Sequence, residues 1–277
     1  MYNRRGLKYY VSTYLGLIGI SFIMLFPIYW MIICSIQGLR IPEIRLTIPW
    51  NQITFESYSK VFVDMPFLTW YKNSIIVTIA TTFIAVLVAI FGAYALSRFK
   101  FRGRKLLATS VLATQLFPGV LLAIPIYVLF ARMGLLNTYQ GLILSYVTKA
   151  LPFSIWMLWG YFDSIPEELE ESAMVDGLGR VATIFRITLP LAAPGLAAVA
   201  LFAFVLSWEE FLYALLIMGP DSMITLTVGA SRLVGSQSVL WGKIMAYSVM
   251  MTLPTAIFFV FLQKYLVHGL TAGSVKG

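Results

Sequence analysis

Cysteine, histidine and charged residues are all scarce in this sequence. It contains one cysteine, Cys34, and one histidine, His268. One cysteine excludes an internal disulfide and a cysteine-based metal cluster, and one histidine gives no basis for a histidine metal site or catalytic triad. The phosphate-binding pattern GxxxxGK followed by Ser or Thr is also absent from the sequence, so the chain is not expected to hydrolyse ATP itself. These absences argue against an enzyme and against a metal centre.

Apolar residues dominate what is present. They make up 60% of the 277 residues, charged residues make up 12%, and the mean hydropathy is +0.85. A soluble domain is about half apolar and about a quarter charged, so this composition predicts an integral membrane protein. The net charge of +8 is attributed to basic loops beside anionic lipid headgroups, and not to a nucleic-acid partner.

Six apolar stretches are long enough to cross a bilayer, which takes about 20 residues. The fourth stretch contains only one charge and the fifth only two. Prolines within the stretches favour kinked or broken helices. No internal repeat or linker is evident, so we predict an all-α membrane protein with a single transmembrane domain over 1–277. The six predicted helices are 11–33, 74–96, 107–130, 140–161, 191–218 and 242–262.

Positive charge is concentrated on one set of predicted connections. Arg4, Arg5 and Lys8 precede the first helix, and five Lys and Arg residues lie within 98–105. Loops rich in Lys and Arg tend to remain in the cytoplasm. We therefore predict a multi-pass protein whose two termini and 163–186 connection are cytoplasmic.

A polar segment, DSIPEELEESAMVDGLGRVATIFRITLPLAAP at 163–194, interrupts the apolar sequence. Ser164 with Glu167 three residues later is typical of a capped helix start, and the following glutamates suit the positive end of the helix dipole. Gly177 predicts the end of this helix, because glycine readily adopts the left-handed conformation. A second short helix is predicted over 180–188, ending before the next proline.

The polar segment resembles the cytoplasmic EAA loop of permease subunits in ABC importers. The family pattern is Glu-Ala-Ala, three residues, Gly, nine residues, Ile, any residue, Leu-Pro. Every spacing is kept here, with serine in place of the first alanine. The resemblance implies a coupling helix that docks into a cleft on an ATPase subunit, with Glu171 as its charged contact. The residues assigned to ATPase coupling are Glu171, Ser172, Ala173, Asp176, Gly177, Ile187, Leu189 and Pro190.

Four further stretches resemble the carbohydrate-uptake branch of this family, the binding-protein-dependent transport inner membrane components of maltose-permease G-type. Residues 93–107 resemble its second cytoplasmic loop, and 151–163 and 208–215 resemble its fourth and fifth helices. The family more often has Trp-Asn-Glu-Phe where this sequence has Glu209 in the Asn position. The tail at 263–277 resembles a terminus that reaches the ATPase dimer. The tail residues assigned to that contact are Gly269, Leu270, Thr271 and Gly273.

The resemblance also implies an architecture and a set of partners. The fold would be that of a type I ABC importer permease in a prokaryotic inner membrane, with six transmembrane helices and a cytoplasmic coupling helix. The partners would be a second permease subunit in a heterodimer, two copies of an ABC ATPase, an extracellular or periplasmic sugar-binding protein, and the lipid bilayer. This chain would hold no cofactor, because ATP and Mg would be bound by the ATPase subunits. Di- and oligosaccharides are the implied substrates, and similar subunits also handle polyols and glycerol phosphate.

Three charges fall well inside predicted helices, namely Lys149, Glu209 and Glu210, whereas Lys243 lies at the first turn of the sixth. Such a charge costs about 2.5–3.5 kcal/mol on insertion scales, and it usually faces the bundle interior or water with a partner. Lys149 would pair with Glu209 or Glu210 if the fourth and fifth helices adjoin. One interpretation is a polar sugar pathway, with Trp208 and Tyr213 as aromatic faces. The other interpretation is a structural ion pair with interfacial aromatic residues.

An alternative function is an ion-coupled secondary transporter in which Lys149, Glu209 and Glu210 relay protons or sodium. The absence of an evident inverted repeat counts against it.

Overall fold

The computed structural model describes residues 7–39, 50–221, 223–234 and 240–272. Side chains are described only within 9–266 of these ranges. The regular elements in the described part are all helical, with 3₁₀ turns at Trp50–Gln52 and Thr114–Leu116 and a π-helical turn at Ile184–Thr188. The helices are α1 Leu7–Ser35, α2 Glu56–Asp64, α3 Phe67–Arg98, α4 Arg104–Ala113, α5 Gly119–Arg132, α6 Tyr139–Asp163, α7 Glu167–Val175, α8 Arg180–Thr183, α9 Leu189–Leu191, α10 Ala193–Trp208, α11 Leu212–Ile217, α12 Leu226–Val234 and α13 Trp241–Ala272.

Four of the helices in the described residues are single elements long and apolar enough to cross a membrane. They contain the predicted first, second, fourth and sixth segments, and they run over Tyr9–Ser35, Phe67–Arg98, Tyr139–Asp163 and Trp241–Leu266. The predicted third and fifth segments differ from this pattern, because each includes a sharp bend. The helices on either side of the bend meet at 97° in the third segment and at 86° in the fifth.

The bend in the third segment lies at Phe117 and Pro118. Phe117 is extended, with φ −76° and ψ 126°, and Pro118 precedes the first residue of α5. A proline disfavours helical geometry at the residue before it and cannot donate a backbone hydrogen bond. The local sequence thus accounts for the division of the predicted 107–130 helix into α4 and α5.

The fifth segment is broken twice. The bend of 86° separates Arg180–Leu191 from α10, and a second break at 209–211 separates α10 from α11. The predicted short helix over 180–188 does not stop before Pro190, because helical structure continues to Leu191 through the π-helical turn. In this turn the Leu189 N–H donates to the Ile184 carbonyl oxygen, five residues earlier.

The described residues form two compact units, and a single domain over 1–277 remains a prediction. The first unit contains 1–67 and 230–252, within the described ranges. In it the Lys243 ammonium donates to the Asp64 carboxylate at 2.8 Å, and this hydrogen bond holds the pKa of Asp64 below its ordinary value. Gly242 packs closely against Gly38, because a Cβ added to Gly242 would lie 1.7 Å from the Gly38 carbonyl oxygen.

The second unit contains 68–229 and the described part of 253–277. Its core is formed by α3, α6 and α10, with apolar residues from the 165–192 connection packed at one end. Ala85, Ala150 and Ala203 form a contact in which each helix contributes one small residue. Small residues let helix backbones approach closely, which is how membrane helices gain packing energy when lipid and protein are equally apolar.

Gly195 of α10 provides a test of this packing, because it lies directly against Tyr161 of α6. A Cβ at Gly195 would lie 2.4 Å from Tyr161 Cγ. We expect Gly195→Ala to destabilise the protein by about 1–3 kcal/mol, as overpacked substitutions do. Gly160→Ala is the control, because a Cβ there meets nothing within 4 Å. Equal thermal unfolding temperatures of the two variants in detergent would contradict the α6–α10 contact.

Candidate functional site

Helix α7 lies in the polar segment, at Glu167–Val175. Its first turn carries Glu167, Glu168 and Glu170, as the dipole argument predicts. The predicted capping role of Ser164 is wrong. Helix α6 continues to Asp163, Ser164 is its C-terminal cap, and the Ser164 hydroxyl donates to the Tyr161 carbonyl oxygen at 2.7 Å. Pro166 is the N-cap residue of α7, and its side chain makes no capping hydrogen bond.

The end of α7 is a Schellman motif centred on Gly177. The Leu178 N–H donates to the Ala173 carbonyl oxygen at 3.0 Å, and the Gly177 N–H donates to that of Met174 at 3.1 Å. Gly177 has φ +95°, in the left-handed region. Glycine adopts this conformation without the penalty that a Cβ imposes. The predicted helix end at Gly177 is confirmed.

The two faces of α7 differ in exposure. Glu170 and Ala173 are the buried residues of this helix. Glu171 and Gly177 are exposed, and Val175 is 87% exposed. The other residues assigned to ATPase coupling differ in the same way. Ser172, Asp176 and Pro190 are exposed, whereas Ile187 and Leu189 are half-buried.

Several large apolar side chains accompany the exposed face of α7. Leu169 and Val175 on α7, Val181 on α8, and Phe185 in the π-helical turn are all exposed. Apolar side chains exposed within a polar segment often mark a surface that another protein covers. Of these, Phe185 packs against Phe91 of α3, with ring centroids 6.3 Å apart. The set of Leu169, Val175, Val181, Glu171 and Gly177 is here named the α7 surface.

Glu170 is the centre of a buried polar cluster beneath α7. Arg98 at the end of α3 donates to Glu170 Oε1 from Nε at 3.0 Å and from Nη2 at 2.8 Å. Tyr94 donates to Glu170 Oε2 at 2.8 Å, and Thr188 donates to Oε1 at 2.9 Å. The Arg98 and Glu170 side chains are only 7% and 3% exposed. We name these four residues the Arg98–Glu170 hub.

The charge state of Glu170 follows from these contacts. Burial opposes ionisation, but hydrogen bonds from Arg98, Tyr94 and Thr188 outweigh it and hold the pKa of Glu170 below its ordinary value. A carboxylate with a lowered folded-state pKa stabilises the fold above its unfolded-state pKa, and this stabilisation is lost as pH falls through the lowered value. The ion pair is therefore complete at neutral pH.

Sequence reasoning selected Glu171 and missed Glu170. The overlooked signal was the helical spacing of Glu170 and Ala173, which places both residues on one face three positions apart. A cleft of about 820 Å³ lies between the end of α3, with the residues that follow it, and the start of α7. Its lining includes Lys100, Arg104 and Glu171, so that cationic and acidic side chains occur around one opening.

The second polar cluster lies where the broken segments meet. The Lys149 ammonium of α6 contacts Glu210 Oε2 in the break after α10, and it lies 5.0 Å from the Tyr213 ring centroid. Glu210 Oε1 accepts the Tyr213 N–H at 3.0 Å. Gln115, at the bend between α4 and α5, donates to the Lys149 carbonyl oxygen at 2.7 Å. We name Lys149, Glu210, Tyr213 and Gln115 the Lys149 junction.

The structure separates the two candidate acidic partners of Lys149. Glu210 is buried and contacts the lysine, whereas Glu209 is exposed at the C-terminus of α10. Trp208 is buried, and its ring is stacked with that of Phe204 at a centroid distance of 5.9 Å. Two broken helices that meet at a buried charge are typical of transporter sites, in which interrupted backbone lines a cavity.

The predicted tail contact falls at the edge of the described chain. Gly269, Leu270 and Thr271 are helical within α13, which ends at Ala272. Their side chains and Gly273 lie outside the described part. The assignment of these four residues to an ATPase contact stays a prediction.

Comparison with known proteins identifies the family. Residues 85–272 match the sequence profile of the binding-protein-dependent transport system inner membrane component. The chain is 38% identical to the inner membrane ABC transporter permease protein YcjP of Escherichia coli in an alignment 278 positions long, which covers 99% of each chain. It is also 38% identical to the trehalose/maltose transport system permease protein MalG of Thermococcus litoralis over 272 residues, or 95% of each chain.

The fold has a solved counterpart. A bacterial ABC transporter involved in the import of the acidic polysaccharide alginate superposes with a TM-score of 0.80 at 25% identity. The match covers 96% of this chain and 99% of the other. The predicted all-α permease fold is thus confirmed, and the comparisons support the ABC permease interpretation rather than the ion-coupled alternative. The chain is a multi-pass membrane protein that belongs to the family of binding-protein-dependent transport system inner membrane components, the permease subunits of ABC transporters.

Proposed function

We propose that this chain is a transmembrane subunit of an ATP-driven importer of di- or oligosaccharides, in which it forms half of the translocation pathway. The named relatives support a carbohydrate substrate. They include a trehalose/maltose system permease, a sulfoquinovosyl glycerol system permease and a diacetylchitobiose uptake permease. The common chemistry of these solutes is a polyhydroxylated ring, and this chemistry defines the proposed substrate class.

The α7 surface is the observation that carries the proposal. A short helix with the complete EAA spacing presents Glu171, Gly177 and exposed apolar side chains, while its opposite face is fixed to the helix ends by Glu170. We propose that an ATPase subunit covers the α7 surface. ATP-driven closure of the ATPase pair would then displace α7 and switch the transmembrane helices between two states of access.

The assembly follows from this role. The chain would pair with a second permease subunit and two copies of an ABC ATPase that bind ATP and Mg, and a sugar-binding protein would deliver the substrate. Both termini would be cytoplasmic, as the Lys and Arg distribution predicts. The tail at 269–273 would add a second contact with the ATPase dimer.

The Lys149 junction is the proposed part of the sugar pathway. The Lys149 ammonium meets the Glu210 carboxylate at the break after α10, and the Gln115 amide lies at the bend before α5. Such groups can exchange hydrogen bonds with sugar hydroxyls, and the buried Tyr213 ring lies beside them. Trp208 and Glu209 immediately precede Glu210 in the sequence and complete the set of residues proposed for the pathway.

The test begins with purification of the tagged chain from its native membrane in mild detergent. We expect a second permease, an ATPase that contains a P-loop, and a binding protein to accompany it. Maltose, trehalose and diacetylchitobiose are then offered to the purified binding protein, and the sugar that raises its unfolding temperature is used for uptake into proteoliposomes.

Uptake into proteoliposomes then separates the two transport mechanisms. The importer requires ATP and is unaffected by ionophores, whereas an ion-coupled transporter has the reverse dependence. A chain that purifies alone and transports without ATP would overturn the proposed function.

A further inference from the structure

The importer mechanism requires that a displacement of α7 reach the transmembrane helices. The buried contacts of α7 itself are few, since Glu170 and Ala173 are its buried residues and alanine offers one methyl group. Among the apolar residues of α7, only Ala173 is buried and Met174 is half-buried. The remaining attachment of α7 to the neighbouring helices is therefore expected to be polar.

We propose that Arg98 and Glu170 are positioning residues that join α7 to the end of α3 and to the π-helical turn, so that these elements move as one body. The inference rests on the proposed function, because it concerns how the ATPase motion is transmitted. It assigns this role to Glu170, which faces inward, and leaves contact with the ATPase to Glu171, which faces outward.

The geometry of the hub connects three elements. Glu170 on α7 accepts hydrogen bonds from Tyr94 and Arg98 on α3 and from Thr188 in the π-helical turn. Arg98 also donates from Nη2 to the Ile165 carbonyl oxygen at 3.1 Å, just beyond α6. A displacement of α7 relative to α3 therefore breaks several hydrogen bonds at once.

Burial makes the connection stiff. Arg98 approaches the carboxylate with two nitrogens, and such charge-assisted pairs are stronger and more directional than neutral hydrogen bonds. Both side chains are almost fully buried, so little water competes for these hydrogen bonds while the pair is closed. Separation leaves two uncompensated buried charges, which is strongly unfavourable.

Thr188 extends the connection toward the Lys149 junction. It lies in the π-helical turn that leads through α9 to the bend before α10. Helix α10 packs on α6 and ends immediately before the break that contains Glu210. Motion of Glu170 can thus reach the proposed sugar pathway through the π-helical turn, α9, the 86° bend and α10.

The test uses the complete importer in proteoliposomes and measures sugar uptake and ATP hydrolysis in the same sample. Glu170→Gln keeps the size of the side chain but removes its charge. We expect the amount of sugar taken up per ATP to fall by about tenfold, within the usual range for coupling between two sites. Glu56→Gln makes the same change at an exposed glutamate of α2, outside the α7 surface. It is the control and is expected to retain the ratio of the unmodified importer.

Milder variants keep the proposal testable if Glu170→Gln does not assemble. Tyr94→Phe and Thr188→Val each remove one hydrogen bond to Glu170 and preserve the side-chain shape. We expect each to lower uptake per ATP by about fivefold, the factor that corresponds to one typical hydrogen bond.

The uptake-per-ATP ratio distinguishes positioning from simple stabilisation. A variant that only destabilises the fold lowers both rates in proportion and leaves the ratio unchanged, and an unchanged ratio in the assembled variants overturns this proposal alone. Absence of ATP-dependent uptake by the unmodified chain overturns the proposed function, and the positioning role with it. A lowered ratio with retained ATP hydrolysis supports both.

Discussion

Replacing Gly177 with valine is expected to abolish ATP-dependent uptake while the chain still inserts into the membrane. Two effects contribute. Valine in the left-handed conformation carries strain of about 1–3 kcal/mol, since Gly177 has φ +95°. A Cβ at this position also meets nothing within 4 Å, so the new side chain would project from the α7 surface into the proposed contact with the ATPase. Uptake into proteoliposomes and recovery of the ATPase with the tagged chain are the measurements.

Two further variants separate strain from docking. Gly177→Asn tolerates the left-handed conformation better but still adds bulk to the α7 surface, and we expect it to lose uptake. Gly103→Val is the matched control for strain, because Gly103 has φ +87° and open space around its Cβ position. We expect it to lose some stability and to keep its uptake per assembled complex. Normal uptake by Gly177→Asn would show that docking does not require a glycine there.

Replacing Lys149 with methionine is expected to reduce the yield of assembled protein more than any other single change to the Lys149 junction. The substitution leaves the Glu210 carboxylate, 7% exposed, without its cation. Breaking a fully buried ion pair costs about 3–5 kcal/mol. The Lys149 side chain is 34% exposed, and solvent screening weakens such a pair. We therefore expect the free energy of unfolding to fall by no more than about 3 kcal/mol. Thermal unfolding in detergent measures it.

The double variant Lys149→Met/Glu210→Gln is expected to recover assembly. Glutamine is neutral and its carbonyl oxygen can still accept the Tyr213 N–H, so no unpaired charge remains. Lys72→Met removes an exposed lysine of α3 and serves as the control, with an expected change within about 0.5 kcal/mol. If the junction lines the sugar pathway, the assembled double variant has a raised KM for the sugar. An unchanged KM would assign the pair a structural role only.

The features that sequence predicted well are those decided within a few residues. The end of α7 at Gly177 depends on the ability of glycine to adopt φ above zero. The bend before α5 also has a local cause, proline at position 118, although a single helix was predicted over 107–130. The apolar stretches likewise predicted the six segments, because a helix in lipid must satisfy its own backbone hydrogen bonds.

The features that sequence predicted poorly depend on competition between distant elements. Ser164 has the residue type for either helix end, and the continuation of α6 to Asp163 decided that it caps α6. The break after α10 contains no proline. It accompanies the contacts of Glu210 with Lys149 and with the Tyr213 N–H, neither of which a local pattern reveals.

The sequence by itself determined the membrane class, the family, and the helix with the EAA spacing, because composition and fixed spacing along the chain are sufficient for these. Only the tertiary structure decided which of two adjacent glutamates faces inward and which acidic residue pairs with Lys149. Neighbouring residues on a helix point about 100° apart, so their roles depend on what packs against each face. Arg98 and Lys149 come from other helices, 72 and 61 residues from their partners Glu170 and Glu210, and only folding brings them together.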